Sequence, residues 1–365
     1  MYGKKILLAF AVILACFASL ATTTNSDPKK EKFLVMAYYA GDETAIDNYD
    51  LNGLTHIIYS FCFLDGNRMI IPENRISVVK KLVSLKNEHS GLKIILALGG
   101  WGGCETCSDV FSVVSGRNEF AASVKELMEI YNVDGIDLDW EYPAIPGYPG
   151  HPYKPEDKRN FTLLIKELRN ILGKDYEIGF AAGGFTRFFN ESVEWDQVMP
   201  LVDYVNIMTY DLVSAGPTTG HHTPLFSLPE QTLSVDYAVN YLDSLGVDCS
   251  KLIIGAAFYG RVWENVPDIQ NGLFQPGNFN KAISYNDLQG WISENGLTEM
   301  WDKKASAPFA WSAEKGLFVT FDNPRSVSLK TKYAKKNRLG GIMFWQLGGD
   351  SPVNGLLESI YRELK

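Results

Sequence analysis

The chain has 365 residues, 46% hydrophobic and 21% charged, the proportions of a packed globular protein rather than a disordered one. Acidic residues outnumber basic ones, 43 to 34, and the formal net charge is -9. That balance argues against nucleic acid as a partner, because binding a duplex needs a basic surface. Aromatic residues reach 13%, a surplus suited to stacking flat ligands or to filling a large core.

At the amino end, Lys4 and Lys5 precede an apolar run over 6–20. The run is shorter than the about 20 residues that span a bilayer. Small residues around Ser19-Leu20-Ala21 suit a signal peptidase, so 1–21 reads as a secretory signal peptide and 22–31 as a polar tether. Ile13-Leu14-Ala15-Cys16 loosely matches a lipobox, which adds the alternative of a lipoprotein anchored through Cys16. A buried first helix is the remaining reading. No later run is long enough to cross a membrane, and the expected location is secreted, periplasmic or extracellular.

Short apolar runs recur at 33–39, 56–63, 93–98, 135–140, 176–182, 204–209, 252–258 and 341–345. They are rich in Val, Ile, Leu and aromatics, as strands buried on both faces are. Helical spacing separates them, clearest at 119–131 (Phe120, Val124, Leu127, Met128, Tyr131) and 158–172 (Phe161, Leu164, Ile165, Leu168, Leu172). Eight alternations predict a (β/α)8 TIM barrel, an α/β fold, over 32–262 and 322–365. The last step is too long for one crossover. Its end, 323–338, reads as a barrel helix, while 263–321 holds a helix-like 286–295 and β-like runs at 307–312 and 316–321. This predicts a small α+β insertion after strand 7, on the face where barrels carry their active sites.

Cys104 and Cys107 form a Cys-x-x-Cys pair with no second pair to complete a zinc site. A local disulfide is the expectation and a free pair the alternative. Cys62 reads as a buried thiol.

The most informative stretch is Asp134-Gly135-Ile136-Asp137-Leu138-Asp139-Trp140-Glu141-Tyr142-Pro143. Side chains alternate along a strand, so Asp137, Asp139 and Glu141 point one way and Ile136, Leu138 and Trp140 the other. Three carboxyls in a buried row cannot all ionise, and their coupling raises at least one pKa. That is how a site keeps an acid protonated near neutral pH. A Ca²⁺ or Mg²⁺ site is the alternative, but period-two spacing on a strand is unlike a loop-built metal site, and no metal or cofactor is expected.

This stretch resembles the signature of family 18 glycoside hydrolases, the chitinases. The resemblance extends over nearly the whole chain after the leader: Ala37-Tyr38-Tyr39, Thr55-His56-Ile57-Ile58-Tyr59, Leu98-Gly99-Gly100-Trp101, Asn206-Ile207-Met208-Thr209-Tyr210-Asp211, Phe258-Tyr259-Gly260-Arg261 and Gly341-Ile342-Met343-Phe344-Trp345 match other strand ends. It implies substrate-assisted hydrolysis, in which the sugar's acetamido oxygen attacks the anomeric carbon to give an oxazolinium ion. Glu141 would be the general acid and then the base. Asp139 would orient the acetamido N–H and Asp137 would share its proton. Tyr210 would hold the acetamido carbonyl, and Asp211 would bind a sugar hydroxyl near Glu141. Trp345 would floor the site and Trp101 would stack a neighbouring sugar. Met208, Tyr259, Arg261, Gly100 and Tyr142 would line the cleft, and Tyr38 would support the carboxylates from below.

One position departs from the pattern. The family often has Ser where this chain has Ala97, so a hydrogen bond to Asp137 should be missing, unless another group replaces it. The resemblance implies a secreted, monomeric chitinase acting on chitin or chitooligosaccharides. An endo-β-N-acetylglucosaminidase on N-glycans and a non-catalytic sugar-binding relative are the alternatives. His221-His222 reads as a cleft wall or surface loop. Asn160 and Asn190 sit in glycosylation-like triplets, and 184–190 is left unassigned.

Overall fold

The computed structural model describes residues 32–213 and 215–365. The leader at 1–21, the tether at 22–31 and Cys16 lie outside the described residues. Eight strands form the central barrel: Leu34–Tyr39, His56–Asp65, Lys93–Gly99, Gly135–Asp139, Glu177–Gly183, Tyr204–Met208, Leu252–Ala257 and Gly341–Trp345. Neighbours pair in parallel. The first strand pairs with both the second and the eighth, so the sheet closes on itself. Closure leaves no barrel edge exposed. The second strand runs past the rim into an antiparallel hairpin with Arg68–Ile70.

The crossovers carry helices Ile76–Ser84, Val114–Tyr131, Asp157–Leu172, Val235–Ser244 and Pro324–Lys336. The first crossover has only a 3-10 turn, Ala45–Asn48, so strict strand–helix alternation begins at the second strand. Asn323 caps the last of these helices, its side chain accepting from the Ser326 N–H while Ser326 bonds back to Asn323. Barrel side chains divide by parity. Met36, Tyr38, Ile58, Ile95, Ala97, Tyr204, Ile253 and Met343 fill the interior. Their neighbours in sequence, such as Val35, Ile57, Ile94 and Leu96, join the larger core under the helices.

A second, five-stranded antiparallel sheet has the order Asn278–Ser284, Tyr259–Glu264, Leu317–Thr320, Ala307–Ser312, Thr298–Asp302. Helix Tyr285–Glu294 accompanies it. The sheet begins at Tyr259, two residues beyond the seventh barrel strand and inside the span expected to be barrel. Tyr259 and Arg261 are therefore side chains of the insertion's own sheet. Among the described residues, no helix is long and apolar enough to cross a membrane.

Candidate active site

The fourth barrel strand delivers Asp137 and Asp139 into the barrel, and Glu141 follows just past its end. Asp137 is fully buried. Its Oδ2 accepts from the Tyr38 hydroxyl at 2.7 Å and its Oδ1 from Asn206 Nδ2 at 3.0 Å, while Asn206 also reaches the Tyr38 oxygen at 3.1 Å. Burial raises the Asp137 pKa to about 6 even against these two stabilising bonds. The Asp139 pKa is raised too, by burial first and then by the Glu141 and Asp137 charges. Its Oδ1 is buried without a hydrogen-bond partner among the described residues. Burial also pushes Glu141 up, to about 7, with the Asp211 charge adding and bonds with Tyr142 and Asp139 opposing. The row thus retains protons near neutral pH, and these belong to the group rather than to one residue.

Ala97 lies beside Asp137 on the neighbouring strand. Its methyl group offers no hydrogen bond, yet each Asp137 oxygen already has a donor. Asn206 takes the second place. It occupies the first position of the 206–211 stretch, and its signal was an amide in an otherwise apolar strand. Tyr38, on the first barrel strand, is the other donor to Asp137.

Across the barrel mouth, Tyr210 is 9% exposed, and its hydroxyl contacts only the Met343 sulfur, at 3.9 Å. Without an oxygen partner among the described residues, it is free to donate to a ligand. Met208 packs beside it against the barrel interior. Asp211 adopts a left-handed backbone, φ 57°. Its Oδ1 accepts from the Tyr259 hydroxyl at 2.6 Å and from Arg261 Nε. Burial alone would raise the Asp211 pKa, but His222 and Arg261 overcome it and hold the carboxylate well below its usual range. Two acids at one rim are therefore driven apart, Glu141 towards the acid form and Asp211 towards the anion.

Aromatic rings shape the rest. Trp345 stacks on Phe61 with centroids 5.5 Å apart and tilts against Tyr38 at 5.9 Å. Trp101 is 59% exposed and meets Tyr148 edge-on at 5.6 Å. These two rings, with Phe61, Glu105 and His151, line a groove of about 570 Å³. Gly100 has φ +78°, and a Cβ there would come within 2.4 Å of the Phe61 ring, so both the turn and the close approach require glycine. Tyr142 sits edge-on to Phe185 and Phe188 at 5.4 and 5.6 Å, which gives the unassigned stretch 184–190 its role in packing the rim.

Cys104 and Cys107 are joined as a disulfide, and Cys62 is a buried free thiol. His221 and His222 are both fully buried, so the surface-loop reading does not apply. His221 meets Asp302 at 3.2 Å. Asn160 is buried within helix Asp157–Leu172, where it bonds Asp157, and is no exposed glycan acceptor; Asn190 is exposed. Among the described residues no group of three His, Cys, Asp or Glu side chains is arranged to hold a metal.

The family model described as glycosyl hydrolases family 18 matches residues 34–350. The chain belongs to that family. Chitinase A1 of Niallia circulans is 34% identical over 299 residues, 74% of this chain and 42% of that protein. The chain thus spans less than half the length of this relative. Probable chitinase 2 of Drosophila melanogaster is 31% identical over 383 residues, covering 94% of this chain and 77% of its own length. A solved family 18 N-acetylglucosaminidase from Paenibacillus barengoltzii superposes with a TM-score of 0.83 at 32% identity, covering 91% of this chain and 100% of that one.

Within this family 18 chain, sequence reasoning missed Asn206, Phe61, Tyr148 and His151. Phe61 lies in the second barrel strand, where it runs past the rim, and Tyr148 in the loop after the fourth; their approach to the groove is set by tertiary structure, and nothing in their spacing marks them. Lys330 and Asp322 were also missed. They form a fully buried ion pair at 2.6 Å, and Asp322 also accepts from the Ala257 N–H at 3.0 Å. Thr223 joins the pair and bonds the Thr209 carbonyl at 3.0 Å, bracing the backbone just before Tyr210.

Proposed function

We propose that this protein is a secreted chitinase that hydrolyses β-1,4 links between N-acetylglucosamine units with retention. The observation that carries the reading is the row Asp137–Asp139–Glu141 at the barrel's carboxyl end, with Asp137 and Asp139 buried, Glu141 partly so, and all three pKa values raised by burial. Glu141 donates its proton to the glycosidic oxygen as the bond to the anomeric carbon breaks. The acetamido carbonyl oxygen forms the new bond to that carbon. Asp139, whose Oδ1 is otherwise unpartnered, accepts from the acetamido N–H and offsets the positive charge of the oxazolinium. Tyr210 donates to the acetamido carbonyl and fixes its line of attack. Water then attacks the anomeric carbon, gives its proton to Glu141 and reopens the ring. Trp345 floors the site, and Trp101 with Tyr148 stacks a neighbouring sugar. The second sheet contributes Tyr259 and Arg261 as one wall.

A second reading shares this chemistry but changes the cut. The solved N-acetylglucosaminidase matched along its whole length favours release of single sugars from a chain end. Hydrolysis of chitotetraose followed by proton NMR tests both. Chitobiose appearing first as the β anomer supports the chitinase reading, N-acetylglucosamine as the first β product supports the second, and α-anomer products contradict both. Cleavage of an N-glycan with chitotetraose left intact would transfer the assignment to N-glycan substrates.

A further inference from the structure

His222 is fully buried, and neither of its ring nitrogens makes an ordinary hydrogen bond among the described residues. Buried polar atoms in folded proteins nearly always have partners, so two orphans on one ring call for a cause. Its backbone is pinned on both sides: the N–H donates to Thr320 Oγ1 at 3.2 Å, and the carbonyl accepts from Leu212 N at 3.0 Å. Its ring packs on Tyr259 at 5.2 Å and brings Nδ1 to 3.5 Å from Asp211 Oδ1. Tyr259 and Arg261 converge on that same oxygen. No hydrogen bond to Asp211 Oδ2 is formed among the described residues.

We propose that His222 is a positioning residue: with Tyr259 and Arg261 it fixes Asp211 through one oxygen and leaves the other free to receive a hydroxyl of the bound sugar. The inference rests on the glycoside hydrolase reading of the site. Arg261 supplies the charge, and His222 supplies a third direction, so the carboxylate cannot rotate about its two other contacts. The groups that face the imidazole are Asp211 and Asp322, which favour its protonation, and Arg261, which together with burial opposes it, alongside the Tyr259 ring. Lys330 neutralises Asp322 from behind.

The test compares His222→Asn, His222→Gln and His222→Phe on a fluorogenic N,N′-diacetylchitobioside. An Asn amide nitrogen reaches the place of Nδ1, whereas Gln reaches that of Nε2. Loss of the third contact in His222→Phe lowers kcat/KM roughly 10- to 100-fold, mostly through KM. His222→Asn recovers to within about threefold of wild type and His222→Gln does not. In an Asp211→Asn background the same Phe substitution changes kcat/KM by less than about threefold, because the two residues act as one unit. Equal rescue by Asn and Gln, or an undiminished loss in the Asp211→Asn background, overturns the proposal. If His222→Phe does not fold, the Asn and Gln variants decide. An activity-free readout separates this proposal from the functional reading: nitrogen NMR of the labelled histidines follows the His222 ring. Asp211→Asn should lower its titration midpoint, since a favourable charge is lost, and an unmoved midpoint contradicts the proposal even if the wild type cleaves no chitobioside.

Discussion

The two ends of the barrel treat their acids in opposite ways. At the amino end, each strand-start carboxylate is matched by a cation. Asp134 receives Lys86 at 2.8 Å, Asp203 receives Arg169 at 2.7 Å, and Glu177 lies between His56 at 2.8 Å and Lys93. At the carboxyl end, Asp137, Asp139 and Glu141 have no cation in contact among the described residues, and burial drives their pKa values up. Asp211 there has a cationic partner in Arg261, and Asp322, which accepts from the Ala257 N–H at the end of the seventh barrel strand, has one in Lys330. The same residue types thus serve stability at one end and chemistry at the other, and the difference lies in what faces them. Removing a cation from an acid is unfavourable to folding, and it is also what leaves a proton available for transfer.

The largest expected effect comes from deleting the proton donor. Glu141→Gln should lower kcat roughly 10²- to 10⁴-fold while the fold persists, checked by kinetics beside circular dichroism. Next is Tyr210→Phe, which removes one hydroxyl with no oxygen partner among the described residues. Its kcat should fall roughly 10- to 100-fold with little change in melting temperature.

A third prediction sets the ends against each other through pH. The Glu141 pKa is raised above its unfolded value, from 4.5 to about 7. Its contribution to stability is therefore fully present below about 4.5 and is lost as pH rises through about 7. Glu177 is lowered: burial would raise it, but His56 and Lys93 overcome burial. Its contribution is present above its unfolded value of 4.5 and is lost as pH falls below it. Glu141→Gln should then melt higher than wild type at pH 8, by about 2 °C, and equally at pH 4. Glu177→Gln should lose about 1–2 kcal/mol at pH 7, less at pH 4, with kcat unchanged. Matching pH trends in the two variants would break the contrast between the ends.

The smallest effect is expected in the groove. Tyr148→Ala should raise KM for chitotetraose about three- to tenfold and leave the chitobioside KM nearly as it was, as measured by steady-state kinetics.

What could be read from the sequence follows from physical range. Asp137, Asp139 and Glu141 were legible because period two on a strand is a local rule, and the strand is short and apolar enough to be recognised. The second sheet was legible as an excess of chain, but its start at Tyr259 was not, since Tyr259–Glu264 follows the barrel strand almost without a break. Asn206 lay within a quoted stretch, yet its pairing with Asp137 crosses the barrel between strands four and six, which no local pattern encodes. Lys330 on its helix reads as an ordinary solvent-facing charge until Asp322 is seen beside it. For His221 and His222 the surface-loop alternative fell for the same reason, because a polar, Gly-rich loop signals exposure unless a second sheet covers it, while the cleft-wall alternative is untouched.

The most direct test of the central claim is the pH dependence of kcat/KM for a fluorogenic N,N′-diacetylchitobioside, with Glu141→Gln as control. Since kcat/KM reports groups of the free enzyme, the wild-type rate should decline as pH rises through about 7, where Glu141 gives up its proton. The variant should show only a low, level residue. A wild-type rate undiminished well above that pH, or a variant that keeps the same limb, would contradict the assignment of Glu141 as the acid.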